Sequence, residues 1–332
     1  MPSTPSTTTR RRLLSMGLAA PALWSSGAFA QSLPDSARIL VGFPPGGAPD
    51  IVARRLAEQL AGKLAQAVIV DNRPGAAGRI AVEAARQSPP NGLTLLLNPA
   101  GVVTINPHTY KTLSYDPFKD LTPLGLAALV DFGFGVGPGV PPEVKNMADF
   151  VRWAKANKGK VTYGTPAPGS PSHFAGDTLS RQLELEMTHV PYRGGAAALN
   201  DLIGGQVSSV ILTLGDMLQH EKAGRLRLLA ATGPARSRFS PLVPTFSEQK
   251  IPGLEFRDWT GLYIAGAPTP EVASRVSGLV RAATASSAYV QALANSSLEA
   301  ATSSAQELDK LARADFERWG PMVKASGFVA DV

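Results

Sequence analysis

The chain reads as an α/β protein built in two domains, and three observations carry that expectation. From residue 38 onward, short β-rich runs alternate with helical patterns, the rhythm of largely parallel sheets joined by crossover helices. About three hundred residues follow a short apolar leader, a length that suits two domains of roughly 100–200 residues each. Loops rich in glycine and proline stand where strands give way to helices.

Taken in order, residues 38–43 form a strand, Pro44-Pro45-Gly46-Gly47 a tight loop, and Val52, Leu56, Leu60 and Leu64 one apolar helix face. Pro49 suits the first turn of that helix. Residues 67–71 are the next strand, 75–78 a loop, 79–87 a helix and 94–97 another strand, which completes a βαβαβ half. Residues 124–136 supply further strand material, punctuated by the glycines and prolines of 137–142. A second unit follows, with a helix over 147–157, strands over 161–163 and 188–192, a loop over 164–172 and a helix from about His173. Alternation continues through a strand at 207–212, a helix at 216–223 and a strand at 226–231, with connecting loop over 241–252. A strand over 259–264 precedes a mainly helical end. There Ser304-Ala305-Gln306-Glu307 has the form of a capping box. The stripe Leu308, Ala312, Phe316, Trp319 and Val323 reads as core.

Three loops each leave a strand and enter a helix, the place where open α/β sheets bind ligands: residues 44–50, 98–101 and 164–172. A glycine-rich loop at a helix start offers unpaired N–H groups and a partial positive charge, and these hold an anion without a cationic side chain. Gly46 and Gly47 either do this, with a positive φ expected at Gly47, or only permit a turn. Asp50, in the first helical turn, caps backbone donors, orders water or pairs with a ligand ammonium. His173 either donates to a bound carboxylate or fixes its own loop.

Catalytic patterns fail on spacing. Gly133-Phe134-Gly135-Val136-Gly137 lacks the dinucleotide fingerprint, there is no phosphate-binding GxxxxGK[ST], and Gly169-Ser170-Pro171-Ser172-His173 misses the nucleophile elbow. His108, His173, His189 and His220 show no zinc-ligand spacing, and the absence of cysteine removes disulfides, thiolate sites and a lipid-bearing N-terminal cysteine. No cofactor is called for.

The leader itself has a function. Thr9-Arg10-Arg11-Arg12-Leu13-Leu14, an interrupted apolar run and Ala28-Phe29-Ala30 have the form of a cleaved export signal. The mature chain is expected to start near Gln31 in the periplasm, with the route open between the twin-arginine and the general secretory pathway. The whole chain carries a formal charge of +6. Half of that excess lies in the leader. With the remaining basic residues scattered, nucleic acid is a poor partner.

At the loops the sequence resembles the substrate-binding receptors of tripartite tricarboxylate transporters, the Bug receptor family. The likeness runs along the mature chain in Phe43-Pro44-Pro45-Gly46-Gly47-Ala48-Pro49-Asp50, Asp71-Asn72-Arg73-Pro74-Gly75-Ala76-Ala77-Gly78, Ile105-Asn106-Pro107, Tyr115-Asp116-Pro117-Phe118-Lys119-Asp120, His189-Val190-Pro191-Tyr192-Arg193-Gly194-Gly195 and Leu202-Ile203-Gly204-Gly205-Gln206-Val207. The resemblance implies a type II periplasmic-binding-protein fold, two lobes around a ligand cleft. The first lobe would take residues 31–130 and 253–332, the second 131–252, after the signal of 1–30. It also implies a monomer that captures a small organic carboxylate by lobe closure and passes it to membrane permease subunits. Carried over by position, the ligand contacts would be Phe43, Pro45, Gly46, Gly47 and Asp50, faced by Thr165, Ser170, Ser172 and His173, with Asn98 and Ala196 beside them. Two departures stand out. Thr165-Pro166-Ala167-Pro168-Gly169-Ser170-Pro171-Ser172-His173 puts prolines where family members carry donors, and Asn98-Pro99 stands where serine or threonine is common. A periplasmic enzyme and a ligand-sensing subunit remain as alternatives.

Overall fold

The computed structural model describes residues 33–330 together with Met1. The expected export signal lies outside the described residues. In chain order the elements are β1 (Ser36–Val41), α1 (Ala48–Leu60), β2 (Ala67–Asn72), α2 (Arg79–Arg86), β3 (Thr94–Pro99), the short α3 (Gly101–Thr104) and α4 (Asn106–Thr109), then β4 (Leu121–Val130). There follow β5 (Phe132–Val136), α5 (Met147–Ala156), β6 (Thr162–Thr165), α6 (Pro171–Gln182), β7 (Thr188–Pro191), α7 (Gly195–Ile203), β8 (Ser209–Thr213), α8 (Leu214–Lys222) and β9 (Arg227–Ala231). The chain ends with β10 (Asp258–Ala265), α9 (Pro270–Thr284), α10 (Ser287–Ala294), β11 (Glu299–Ala300) and α11 (Ala305–Ser326).

Two mixed sheets result. One has the order β11-β4-β10-β3-β1-β2 and the other β7-β6-β8-β5-β9. Strands β2, β1 and β3 are mutually parallel, as are β7, β6 and β8, while β10 and β5 run against their neighbours. The run 124–136, read from sequence as one stretch, is therefore two strands in different sheets, separated only by Asp131.

Each sheet is covered on both faces. On the first, Val52, Leu56 and Leu60 of α1 pack with Val276 and Val280 of α9 and Tyr289 of α10, and the opposite face takes Ala81, Val82 and Ala85 of α2. On the second, Phe150 of α5 and Phe174 of α6 cover one face, while Leu202 of α7 and Met217 of α8 cover the other. Strand interiors buried on both faces explain why the sequence shows apolar runs rather than alternation. The expected stripe of α1 is fully buried at Val52, Leu56 and Leu60, while Leu64, equally buried, lies in the turn beyond the helix, which ends at Leu60. The capping box at Ser304 and Glu307 is present in both directions.

Helix α11 is not confined to one lobe. Leu308 and Ala312 pack against the first sheet, whereas Trp319 and Val323 pack with Phe174 and Phe256 in the core of the second. Ala330, beyond the helix, donates its N–H back to Thr109 O at 2.9 Å.

Strand directions fix where the lobes meet. Because β10 is antiparallel to both β3 and β4, the C-terminal end of β4 lies at the same edge as the ends of β1, β2 and β3. Residue 131 leads from that edge straight into β5. On the second sheet Phe132 pairs with Thr213, so β8, and with it β6 and β7, also ends at the junction. Every loop that follows a parallel strand therefore opens toward the space between the lobes.

Candidate functional site

The first loop, residues 44–47, is solvent-exposed and held from beneath. Asp50, 2% exposed, receives Gly46 N–H at 2.9 Å and Arg54 Nε–H at 2.9 Å on Oδ2, and Asn72 Nδ2–H at 3.0 Å on Oδ1. Burial alone would raise this carboxyl pKa, but the hydrogen bonds from Arg54, Gly46 and Asn72 outweigh it and hold the group below its ordinary value. Three of its roughly four lone-pair sites are taken by the loop, by α1 and by β2. Gly46 N–H is spent as well, pointing inward to Asp50. The positive φ expected at Gly47 belongs instead to Gly46, at +86°, while Gly47 is extended at −79°. The turn needs its left-handed residue one step earlier because Gly47 must serve as N-cap of α1, a position that takes extended angles. Phe43 lies against Gly78, and its carbonyl accepts from Asn72 Nδ2 at 3.1 Å. Pro45 is exposed.

In the facing loop, helix α6 begins at Pro171, so Ser172 and His173 are helical rather than loop residues. Ser170 caps this helix, accepting from His173 N–H at 3.3 Å and donating to Ala167 O at 2.7 Å. Thr165 Oγ1 lies 2.7 Å from His189 Nε2 and donates to Ala167 O at 3.2 Å. These two hydroxyls are thus engaged within their own loop. His173 Nδ1 accepts from Gly169 N–H at 3.1 Å, and its ring stacks on His189 with centroids 4.0 Å apart. Burial depresses the pKa of both imidazoles, that of His189 to about 4.

Two sequence candidates are different. Asn98 and Ser172 are fully buried, and among the described residues neither amide atom of Asn98 nor the hydroxyl of Ser172 has a partner. Asn98 ends β3 in the first lobe and Ser172 opens α6 in the second. Their segments approach each other: a Cβ on Gly101 would sit 3.9 Å from Pro171 Cδ. Ala196 is exposed in the first turn of α7 at the same junction.

The spacing of residues had not pointed to Asp216 or to the ion pair at the lobe crossing. Asp216 opens α8 at the cleft edge, its Oδ2 3.6 Å from where a Gly195 Cβ would lie. It keeps solvent access yet stands among protein atoms, and that desolvation raises its carboxyl pKa. At the crossing, Arg257 donates to both oxygens of Asp131 at 2.8 and 3.0 Å, joining the two segments that connect the lobes. The loops at 44–50 and 164–172 contain no lysine or arginine. Recognition there falls to neutral groups and backbone dipoles.

The model of the tripartite tricarboxylate transporter family receptor matches residues 52–328. A UPF0065 protein of Pseudomonas sp. strain P51 is 31% identical over 285 residues, covering 86% of this chain and 84% of its own. BugT of Bordetella pertussis is 28% identical over 291 residues, covering 87% and 89%. Among solved structures, R. palustris Rpa4515 with adipate superposes with a TM-score of 0.82 at 29% identity, over 89% of this chain and 98% of that one. The periplasmic binding protein BugD gives 0.79 at 26% identity, over 90% and 99%. The chain, with its two lobes and its facing loops, belongs to the tripartite tricarboxylate transporter receptor family.

Proposed function

We propose that the chain is a periplasmic solute receptor that closes two lobes around a small organic carboxylate and presents it, as a monomer, to the membrane permease subunits of a tripartite tricarboxylate-type transporter. The observation that carries this reading is the pair of buried, unpartnered groups, Asn98 and Ser172, on segments of opposite lobes that approach each other at Gly101 and Pro171. A ligand bridging them is bound by both lobes only when these are together, so it draws the equilibrium toward closure in proportion to its differential affinity. The Rpa4515 structure with adipate supports a carboxylate as the ligand class. The glycine loop clamped by Asp50 and the N-termini of α1, α6 and α7 provide the electrostatic setting for an anion.

The lobes are built from residues 31–130 with 253–332, and from 131–252, except that Leu254, Phe256 and the end of α11 with Trp319 and Val323 pack into the core of the second lobe, and the mature protein starts after Ala30. Native mass spectrometry of the protein purified from its own periplasm tests both statements that matter most. A retained small acid and an N-terminus at Gln31 are expected. Protein that retains residues 1–30, or that holds no acid and binds none by calorimetry, would overturn the reading.

A further inference from the structure

Asn98 narrows the ligand class further than a carboxylate. Its carboxamide presents donors on Nδ2 and an acceptor on Oδ1, and both atoms are buried without a partner among the described residues. An amide flip exchanges the two atoms and leaves the demand unchanged, since one needs an acceptor and the other a donor. An ionised carboxylate carries acceptors only. It can receive Nδ2–H and the Ser172 hydroxyl, but it turns lone pairs toward Oδ1. The acceptor would stay unpaired in a buried place, where leaving it so is costly.

Among the described residues no side chain lies within hydrogen-bond distance to supply the missing donor. The hydroxyls of Thr165 and Ser170 are given to the Ala167 carbonyl. No lysine or arginine stands in the two principal loops. On the neighbouring strand Gly261 is paired with Asn98, and Gly42 follows Val41, the partner of Leu97, on the other side. Glycines on both flanks put no side-chain donor there. At the same cleft edge Asp216 adds a second acceptor and a negative charge that disfavours a dianion.

We infer that the cleft selects a small monocarboxylate bearing a neutral group that both donates and accepts, a carboxamide or a hydroxyl, seated between Asn98 and Ser172. A primary carboxamide fits best because it can meet Asn98 in a two-bond cyclic pair while its carbonyl or N–H also reaches Ser172. The inference rests on the solute-receptor reading but fails separately from it.

The test is calorimetric titration of the full mature protein with matched pairs: succinate against its monoamide succinamate, and glutarate against its monoamide. The monoamides should bind at least about tenfold more tightly than the diacids, the consequence of pairing one buried acceptor. Asn98→Leu, which replaces the carboxamide by an apolar group of similar size, should fold as judged by its thermal unfolding and bring the ratio close to one. Ser172→Ala should weaken both members of each pair by roughly two- to tenfold and leave their ratio nearly unchanged. Diacids that bind as well as the monoamides would mean that water fills the place beside Asn98, and the inference would be wrong while the receptor reading stood. A preference that persists in Asn98→Leu would overturn it too. So would a natively retained acid with no N–H or O–H beyond its carboxyl groups. If nothing in the series binds and no acid is retained, the receptor reading itself falls, and this inference with it.

Discussion

Acid should loosen the second-lobe loop through the stacked histidines, and the size of the effect can be worked from their surroundings. Burial first, and the neighbouring His173 second, hold the His189 imidazole at about 4 against an ordinary value of 6.5. As pH falls through this interval the unfolded chain takes up a proton that the folded chain refuses, so stability present above about 6.5 is lost toward about 4. Taken in full, that separation corresponds to ~3 kcal/mol at 1.36 kcal/mol per unit. The ring is only partly buried, and solvent screening reduces the figure to ~1–2 kcal/mol. Asp258 works in the opposite sense. Burial pushes its carboxyl up to about 7, so its burden on the fold grows as pH rises from the ordinary carboxylate range through that value. The overall slope therefore mixes the two, and a variant difference separates them. His189→Gln keeps an N–H for Thr165 but cannot titrate. Urea unfolding of both proteins from about pH 7.5 to about pH 4.5 should show the variant gaining ~1–2 kcal/mol relative to wild type as acid is added. A difference that stays constant across the interval would refute the reasoning.

Three further outcomes follow from the geometry. Gly46→Val places a β-branched residue at a φ of +86° and should cost ~2 kcal/mol or more, whereas Gly47→Val, with extended angles, loses only a favourable N-cap residue and should cost ~1 kcal/mol or less; equal losses in chemical denaturation would contradict the assignment of the turn. Gly42→Ala directs a Cβ to 2.6 Å from Gly78 Cα, and the backbone shift should lower stability by ~1–3 kcal/mol, read as a drop in the unfolding midpoint; an unchanged midpoint would show that the two loops are not in contact. Asp131→Ala strands Arg257, which keeps only Glu299 at 3.5 Å, and should cost roughly 2–3 kcal/mol, below the 3–5 kcal/mol of a fully buried pair; a double-mutant cycle with Arg257→Ala that shows no coupling would rule the pair out as a tie between the crossing segments.

Much of the architecture was legible where local chemistry and tertiary demand agree. Val52, Leu56, Leu60 and Leu64 repeat at helical spacing and are all buried, and Ser304 with Glu307 forms the cap that their spacing announces. The crossing between lobes was not legible, because strands β4 and β5 are both apolar and Asp131 resembles an ordinary interruption until Arg257 is seen beside it. The same holds in the site. Thr165, Ser170 and Ser172 look alike in sequence, yet their loop consumes the first two hydroxyls and leaves the third unpartnered. His173 and His189 meet only through the fold: strand β7, which bears His189, pairs with β6, and the helix α6 that follows β6 carries His173 in its first turn. Hydrogen-bond accounting of this kind depends on rotamers and close approach, which residue order does not encode.

Helix α11 changes what the two lobes can do. Two extended segments side by side would let one lobe turn against the other in many directions, but a helix rooted on Leu308 and Ala312 in one lobe and on Trp319 and Val323 in the other adds a third tether. Three attachments leave fewer directions of swing, so opening must follow a path along which the helix bends, slides over the Phe174 and Phe256 rings or comes away from them. The order of residues along the chain and the order of mechanical coupling are then different things: α11, far along the chain from the first crossing at Asp131, completes the coupling that this crossing begins. A protein shortened before Trp319 would lack part of the second lobe's core although every strand of both sheets were present.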